Sequence, residues 1–450
     1  MKIISKIFFG SMLLLFSGIS CTDDDFDNPA FGGDDVPVIF LEWAENMAFS
    51  VGDVIRINPQ VSPSDGVTYK WIFDDEVVST EKNLEYAVTE FGTFVLKFEV
   101  ERNGVKNSRT ANVLVVKPFE PKTYNKKSIA YITVDGSVAD VPWDNITHLI
   151  VSSAIIGADG SPDLTFGGRT ALDISTLIST AHNYGVFVMI EFSGSITYLN
   201  AVHAYGSLDF YSAAVAANRD AFVNSLVQVV IDNKFDGINV YMDKADDGAY
   251  PDPVTLKDFY EKLGIALKSV KNSLDGVEYD YLLSMSVYGG WTNATLANMV
   301  NIPTYDWINV LAFDAEDLTP VPHSASWYFT DQINQWLNWY GVNPSRIVGV
   351  APAFGLRYFG NTADYTWGNL WQYTEYIPYR TLCAAYPNAH EVNQQATDNG
   401  IFYDGFPAIE AKAQYVNDSN LGGMALWSVE SDSRDETKSL MKRINALMGN

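Results

Sequence analysis

Residues 235–243 read FDGINVYMD, and this stretch decides how the larger part of the chain is predicted to fold. Side chains along a β-strand point alternately to its two faces. Every second residue from Ile238 onward is apolar, and the residues between them, Asn239, Tyr241 and Asp243, are polar. The alternation predicts a strand whose apolar face packs against outer helices, while its polar side chains point into the mouth of a barrel.

Short apolar segments of this kind recur after residue 125, and longer helical patterns separate them. This alternation is typical of βαβ units and a parallel sheet. Eight candidate strands occur in order, at residues 129–132, 148–151, 186–190, 237–241, 282–287, 307–311, 347–350 and 424–427. The pattern predicts an α/β protein with a (β/α)₈ barrel of the TIM type, whose functional residues lie at the C-terminal ends of the strands.

The segment ahead of the barrel shows short alternating runs and no helical period. Residues 93–100, TFVLKFEV, place four apolar side chains on one face, and Asn103-Gly104 is typical of a hairpin turn. Trp71 lies in a run of the kind found in sandwich cores. We therefore expect a small all-β, immunoglobulin-like sandwich that acts as a spacer, with direct sugar binding as the alternative role.

The N-terminus has the features of a targeting signal. Lys2 and Lys6 lie before an apolar stretch that is too short to span a bilayer. Small residues then lead to Cys21, which resembles a bacterial lipoprotein signal in which this cysteine is acylated; the acidic residues 22–27 resemble the surface-export signal of Bacteroidetes lipoproteins. We expect a protein lipid-anchored at Cys21 on the outer membrane, facing the cell exterior. The alternative is an ordinary secretory signal with a chance cysteine.

These features divide the chain into five segments. They are a lipoprotein signal peptide (1–20), an acidic flexible stalk (21–36), the β-sandwich (37–117), a linker (118–125) and the barrel (126–450).

The composition excludes several classes of function. The chain has 55 acidic and 29 basic residues, for a net charge of −26, which argues against a nucleic-acid partner. Its two cysteines, Cys21 and Cys383, exclude a disulfide framework, and its five histidines lack metal-ligand spacing. We expect no metal and no other cofactor.

The barrel segment resembles glycoside hydrolase family 18, the chitinases and endo-β-N-acetylglucosaminidases, over roughly residues 126–449. The resemblance rests on ordered landmarks: Arg219 and Phe222, residues 235–238, 305–310 and 346–352, Tyr403-Asp404 with Lys412, and residues 422–427. The β-sandwich is similar to PKD-type domains in Trp71, in residues 91–94 and in residues 112–116.

The family pattern on the fourth strand is Asp-Gly-x-Asp-x-Asp-x-Glu, and residues 236–243 depart from it at all three inward positions. The resemblance implies substrate-assisted hydrolysis, in which the N-acetyl oxygen of the sugar attacks the anomeric carbon and the glutamate protonates the leaving oxygen. Asp243 stands at the glutamate position and is one methylene shorter. Retracting the acid by ~1 Å is expected to slow the reaction ~10²-fold.

Tyr241 stands where the resemblance implies an aspartate that orients and stabilises the acetamido group. A phenol is neutral near pH 7 and cannot stabilise the developing positive charge as an anion would. With Asn239 and Tyr241 both neutral, Asp243 also lacks the neighbouring carboxylates that would raise its pKa. We expect Asp243 to be a poor general acid.

Other family positions have changed or remain. The Ser-x-Gly-Gly motif after the third strand is replaced by residues 191–194, EFSG. Three interpretations of Glu191 are open: a hydrogen-bond acceptor for sugar hydroxyls, a displaced acid, or a solvated loop residue. Residues 311–314, LAFD, keep the aspartate of Met-x-Tyr-Asp as Asp314. Trp427 matches the tryptophan that forms the floor under the bound sugar, with a core role as the alternative.

Aromatic residues cluster after several strands, and Tyr288 and Trp291 directly follow the fifth. Because sugars present apolar C–H faces to rings, such residues are candidates for glycan contact. The predicted glycan-binding set comprises Asn239, Tyr241, Asp243, Glu191, Asp314, Tyr288, Trp291 and Trp427.

Three functions are consistent with the sequence. The preferred one is a cell-surface lipoprotein that uses a catalytically impaired barrel to bind an oligosaccharide containing N-acetylglucosamine, near a glycan importer or surface glycosidases. The second is an active chitinase or endo-β-N-acetylglucosaminidase with Asp243 as the acid. The third is a structural or adhesive protein whose barrel binds no sugar.

Overall fold

The computed structural model describes residues 36–41, 43–44, 46–117, 119–156, 161–164, 172–195, 214, 217–243, 253–274, 277–291, 294–315 and 317–450. The predicted signal peptide, the lipidation site Cys21 and nearly all of the stalk therefore lie outside the described residues. Backbone contacts separate two units, the first ending at Leu114 and the second beginning at Val115, with Thr89–Gly92 grouped with the second.

The N-terminal unit is all-β, as predicted. Its strands are β1 (Val38–Phe40), β2 (Asn46–Ser50), β3 (Val54–Ile57), β4 (Gln60–Ser62), β5 (Thr68–Phe73), β6 (Glu76–Ser79), β7 (Leu84–Ala87), β8 (Gly92–Arg102) and β9 (Val105–Val116). They form a five-stranded sheet, β2-β9-β8-β5-β6, and the pairs β1–β4 and β3–β7. Trp71 is fully buried and stacks on Phe98 at 4.2 Å. Asn103 and Gly104 both have positive φ, which makes the predicted turn between β8 and β9.

The C-terminal unit contains fifteen further strands among its described residues. They are β10 (Lys127–Ile132), β11 (His148–Ile156), β12 (Pro162–Asp163), β13 (Phe187–Ser195), β14 (Gly237–Asp243), β15 (Lys271–Leu274), β16 (Val277–Asp280), β17 (Leu282–Val287), β18 (Trp307–Leu311), β19 (Ile347–Pro352), β20 (Phe354–Tyr358), β21 (Thr374–Pro378), β22 (Gln394–Gln395), β23 (Ile401–Phe402) and β24 (Gly423–Trp427).

Its described α-helices follow the strands in sequence. They are α1 (Ile174–Asn183), α2 (Arg219–Asn233), α3 (Pro253–Lys268), α4 (Ser326–Asn338), α5 (Tyr379–Ala385), α6 (Phe406–Asp418) and α7 (Leu440–Leu447). Within the described ranges, none of the helices combines the length and the apolar character that crossing a bilayer requires.

Eight parallel strands close into a ring in the order β10-β24-β19-β18-β17-β14-β13-β11, and β11 pairs back with β10. This confirms the predicted (β/α)₈ barrel. Ile238 and Val240 belong to the apolar layer between strands and helices, and Tyr241 packs against a second cluster inside the barrel. At Gly237 a Cβ would lie 2.2 Å from the Leu282 carbonyl oxygen, so only glycine permits the approach of β14 to β17.

Several landmark residues of the family resemblance hold the barrel together. Asp236 is fully buried and accepts hydrogen bonds from the Val188 amide (2.6 Å) and the Tyr279 hydroxyl (2.6 Å). Lys412 is fully buried, forms an ion pair with Asp404 and donates to Ser324 at 2.6 Å. The hydrogen bonds and the ion pair of these side chains are made within the barrel, so these landmarks support the fold.

The segment after the seventh barrel strand contains a small antiparallel sheet, β21-β20-β23-β22. Its aromatic residues divide by burial. Tyr365 and Tyr379 are core residues, whereas Trp367 and Trp371 are largely exposed. Strand β21 carries Tyr376, whose ring lies against Phe354 at the start of β20.

Candidate functional site

A cavity of about 400 Å³ opens at the C-terminal end of the barrel. It contains four of the eight predicted glycan-binding residues: Tyr241 in β14, Tyr288 after β17, Asp314 after β18 and Trp427 at the end of β24. Its remaining lining residues are Leu311, Phe313, Phe354, Tyr376, Pro378, Ser428 and Ser431. The position agrees with the rule that barrel sites form where the strands end.

Trp427 forms part of the cavity wall and is partly buried. Its ring lies 4.8 Å from the ring of Tyr131, which is fully buried in β10. The hydroxyl of Tyr131 is in turn hydrogen-bonded to Ser286 at 2.9 Å. The buried Tyr131 ring therefore supports the indole on one side, while the indole lines the cavity, as a binding platform requires.

Asp314 holds its carboxylate at the cavity through an unusual backbone conformation. Its φ is +66°, in the left-handed region that aspartate tolerates better than most residues. The Tyr376 hydroxyl donates to Oδ1 at 3.1 Å, and His323 Nδ1 lies 3.8 Å from the same oxygen. The side chain keeps 32% of its surface exposed, so a ligand can reach it. Burial raises the pKa of Tyr328 to about 12, and the negative charges of Asp314 and Asp331 contribute to the rise.

Three rings form a wall beside Asp314. Phe354 is nearly perpendicular to Phe313 (centroids 5.6 Å apart, 83°) and to Tyr376 (5.1 Å, 87°). Sequence reasoning did not single out Phe354, although it follows the seventh barrel strand by two residues. Phe313 enters the sequence pattern only within residues 311–314, and no motif singles out Tyr376.

Glu191 lies below the cavity with no exposed surface. Its Oε1 accepts from the Ser152 hydroxyl at 2.6 Å, and its Oε2 accepts from Asn239 Nδ2 at 2.6 Å and from the Ser286 hydroxyl at 3.2 Å. Burial raises the pKa of Glu191 from 4.5 to about 7, because the apolar interior disfavours the charged form. The interpretation of Glu191 as a solvated loop residue is wrong, since β13 runs on to Ser195 and carries the residue into the barrel.

Asn239 is also fully buried and lies in the same layer as Glu191, with which it is paired in register. Its Oδ1 accepts from the Ser284 hydroxyl at 2.6 Å and from Asn309 Nδ2 at 3.2 Å. Neither Asn239 nor Glu191 presents surface that a glycan can touch. The structure places both as supports beneath the cavity, contrary to the expectation of direct contact with sugar.

The last two predicted residues occupy different places. Asp243 ends β14 in register with Ser195, so its backbone lies at the mouth; its side chain falls outside the described atoms. Trp291 is absent from the cavity wall and 78% exposed. Its amide donates to Gln335 on α4 at 2.7 Å, and the Tyr340 hydroxyl donates to the Gly290 carbonyl at 3.2 Å, so the loop after β17 packs outward on this helix.

The cavity has a simple electrostatic character. Of the described lining residues, Asp314 is the only one with a charged side chain. No three His, Cys, Asp or Glu side chains within the described ranges converge in a way that could hold a metal ion. The chemistry available at the described wall is therefore ring stacking, hydroxyl hydrogen bonding and one carboxylate.

Comparisons with known proteins agree with this geometry. The sequence profile "Glycosyl hydrolases family 18" matches residues 122–432, and a PKD-like domain profile matches residues 37–102. Endochitinase 1 of Metarhizium robertsii is 24% identical over 273 residues, which cover 53% of this chain and 62% of the relative. Chitinase 1 of Aphanocladium album is 24% identical over 342 residues, covering 66% and 78%. A probable endochitinase of Orgyia pseudotsugata multicapsid polyhedrosis virus is 23% identical over 208 residues, and the chain spans 34% of its length.

Solved structures share the barrel fold. A chitinase from Bacteroides thetaiotaomicron superposes with a TM-score of 0.57 at 19% identity, covering 72% of this chain and 96% of its own. The family 18 chitinase ChiB of Flavobacterium johnsoniae gives 0.55 at 17% identity, covering 72% and 94%. The human pseudo-chitinase YKL-39 gives 0.56 at 17% identity, covering 72% and 100%. The closed parallel barrel, the position of its cavity and the profile match over most of the chain lead to one assignment: the protein belongs to glycosyl hydrolase family 18.

Proposed function

We propose that the protein binds an oligosaccharide containing N-acetylglucosamine at the barrel mouth and does not cleave it at an enzyme's ordinary rate. The observation that carries this proposal is Tyr241, whose phenol lines the cavity at the position where the family resemblance implies a catalytic aspartate.

Support for binding comes from the shape and lining of the cavity. Its volume of about 400 Å³ lies within the range of ligand sites, which is about 300–1,000 Å³. Trp427, Tyr288 and Tyr241 offer rings and hydroxyls to a sugar, which has apolar C–H faces and polar edges. The structural neighbour YKL-39 is described as a pseudo-chitinase with retained chitooligosaccharide binding, so a barrel of this fold can keep one property without the other.

Support for impaired catalysis comes from the carboxylates. A neutral phenol at Tyr241 cannot stabilise positive charge on the acetamido group as an anion would. Glu191 is sealed below the cavity, hydrogen-bonded on both oxygens, and cannot act as a displaced acid without rearrangement of its strand. Asp243 is one methylene shorter than the glutamate of the family pattern.

Presentation at the cell surface is part of the proposal. The sequence at Cys21 would supply a lipid anchor, and the stalk and the PKD-like domain would hold the barrel away from the outer membrane. An importer or glycosidases at the same surface would use the captured glycan.

The second candidate function is glycoside hydrolysis with Asp243 as the acid. It is favoured by family membership and by the position of Asp243 at the end of β14, at the barrel mouth. The two functions differ in a single observable, which is release of product from a bound glycan.

The experiment uses the mature chain without lipid, residues 22–450. Calorimetry measures binding of N-acetylated chitotetraose and of an N-glycan, and mass spectrometry follows products over a long incubation beside an active chitinase. We expect binding without product. Product that disappears in Asp243→Ala would establish the enzyme instead, and absence of binding across a glycan array would favour a structural or adhesive role.

A further inference from the structure

The charge at the cavity points to a class of ligand. The described wall carries one carboxylate, Asp314, and no lysine or arginine, in a chain whose net charge is −26. A wall with one carboxylate and no cation among its described residues favours a neutral or positively charged ligand over an anionic one.

Asp314 lies beside aromatic residues of the cavity wall, of which Tyr376 is the most exposed. Phe354 stands between Phe313 and Tyr376 and is nearly perpendicular to both, with ring centroids 5.1–5.6 Å apart. Tyr376 is 51% exposed and also donates its hydroxyl to Asp314, which holds the carboxylate beside this ring. Aromatic faces attract an ammonium group within about 6 Å of the ring centroid.

Asp314 retains acceptor capacity for a ligand. Tyr376 donates to Oδ1, and His323 Nδ1 lies 3.8 Å away, beyond hydrogen-bond distance. The His323 ring is fully buried against Phe354, with Nε2 3.3 Å from the Phe354 carbonyl oxygen. No donor in the described part of the chain contacts Oδ2 of Asp314, while the side chain is partly open to the cavity.

We propose that the cavity selects amino-sugar residues whose amine is free and protonated, as in deacetylated chitooligosaccharides, over their N-acetylated forms. The inference rests on the proposed function and names its ligand class. The ammonium group donates a charge-assisted hydrogen bond to Asp314 and lies against the exposed ring of Tyr376, while the sugar packs on Trp427. Acetylation removes that charge and leaves a neutral amide. The amide makes neither the charge-assisted hydrogen bond nor the cation–π contact.

The test compares two tetramers of equal length, fully deacetylated and fully N-acetylated, by calorimetry at pH 6 and at two salt concentrations. We expect the deacetylated tetramer to bind about ten-fold more tightly, because charge-assisted hydrogen bonds are about twice as strong as neutral ones. Asp314→Asn keeps the shape and an acceptor for Tyr376; it should lower the affinity for the amine about ten-fold and that for the acetylated tetramer less than about two-fold. The matched control, Asp418→Asn, removes one exposed charge on α6 and should change neither affinity.

The outcomes separate this inference from the proposed function. Equal or tighter binding of the acetylated tetramer overturns the inference and leaves glycan binding intact. Binding of the amine that is unchanged in Asp314→Asn also overturns it, because it indicates general attraction to an acidic surface. Failure of both tetramers to bind contradicts the proposed function itself. Thermal unfolding of each variant confirms that the comparison is made between folded proteins.

Discussion

Two adjacent layers of the barrel interior have opposite character. The layer of Glu191, Asn239 and Ser284 is buried, polar and hydrogen-bonded. The layer above it, which contains Tyr241 and opens to the cavity, is aromatic and carries a single described carboxylate, Asp314. The difference shows that a position on a barrel strand does not by itself bring an acidic residue into reach of a ligand. Glu191 serves as a buried acceptor for three donors, while the accessible layer is suited to stacking and hydrogen bonding.

The largest expected effect comes from restoring the family pattern in the upper layer. Tyr241→Asp combined with Asp243→Glu supplies both the anionic helper and the longer acid. Each change addresses a deficit that costs on the order of 10²-fold in rate, so we expect hydrolysis of N-acetylated chitotetraose to rise at least ~10²-fold over the wild-type chain. Mass spectrometry of released products measures the gain.

The matched control for that experiment is Tyr241→Phe with Asp243→Glu, which restores the acid without the anion and should gain much less. If the unaltered chain already hydrolyses the tetramer as fast as the double variant, the upper layer is not impaired and the contrast between the layers has no catalytic meaning. Thermal unfolding identifies any variant in which the added carboxylate prevents folding.

The second effect concerns stability and the lower layer. The pKa of Glu191 is raised in the folded state to about 7, so the folded protein binds this proton more tightly than the unfolded chain does. This proton contributes about 3 kcal/mol to the free energy of unfolding. The contribution is fully present below about pH 4.5 and is lost as the pH rises to about 7. Glu191→Gln cannot ionise, so the difference in unfolding free energy between the wild type and this variant should change across that window and be flat above it.

Glutamine is a suitable probe because its amide can replace the neutral carboxylic acid. One side-chain oxygen still accepts from Asn239, and the amide group can donate to the Ser152 hydroxyl, which accepts as readily as it donates. Glu191→Ala removes the acceptor as well and should lower stability at every pH, since buried donors left without partners cost about 1–3 kcal/mol each. Denaturant titrations from pH 4.5 to pH 8 measure all three proteins. Parallel curves for the wild type and Glu191→Gln would contradict the buried-acceptor role.

The sequence was sufficient for the fold because the fold depends on repeated local patterns. The alternation on β14 correctly assigned Ile238 and Val240 to the outer apolar layer and Tyr241 to the interior. The signal at Asn103-Gly104 identified a turn whose two residues both need positive φ. Such features are decided by the residues themselves and their nearest neighbours along the chain.

The site was less predictable because it depends on where strands end and on what loops pack against. Glu191 appeared to follow a strand, and only the continuation of β13 to Ser195 buries it. Trp291 follows β17 closely, yet its loop is bound to Gln335 of α4, some 44 residues later in the chain. Phe354 and Tyr376 meet only because β20 and β21 pair as an antiparallel sheet. None of these tertiary contacts is visible in a local pattern.

The smallest expected effect sharpens the border of the upper layer. Trp427 lines the cavity above Tyr131, whereas Trp291 is bound to α4 outside it, so the two tryptophans separate the cavity from the neighbouring surface. Trp427→Ala should weaken binding of a chitooligosaccharide about ten-fold or more, as truncation of a central aromatic contact does, and Trp427→Phe should recover part of the loss. Trp291→Ala should change the affinity less than about two-fold, a difference that calorimetry resolves. Equal losses in the two alanine variants would mean that the glycan extends over the outer loop after β17, and the cavity alone would no longer define the site.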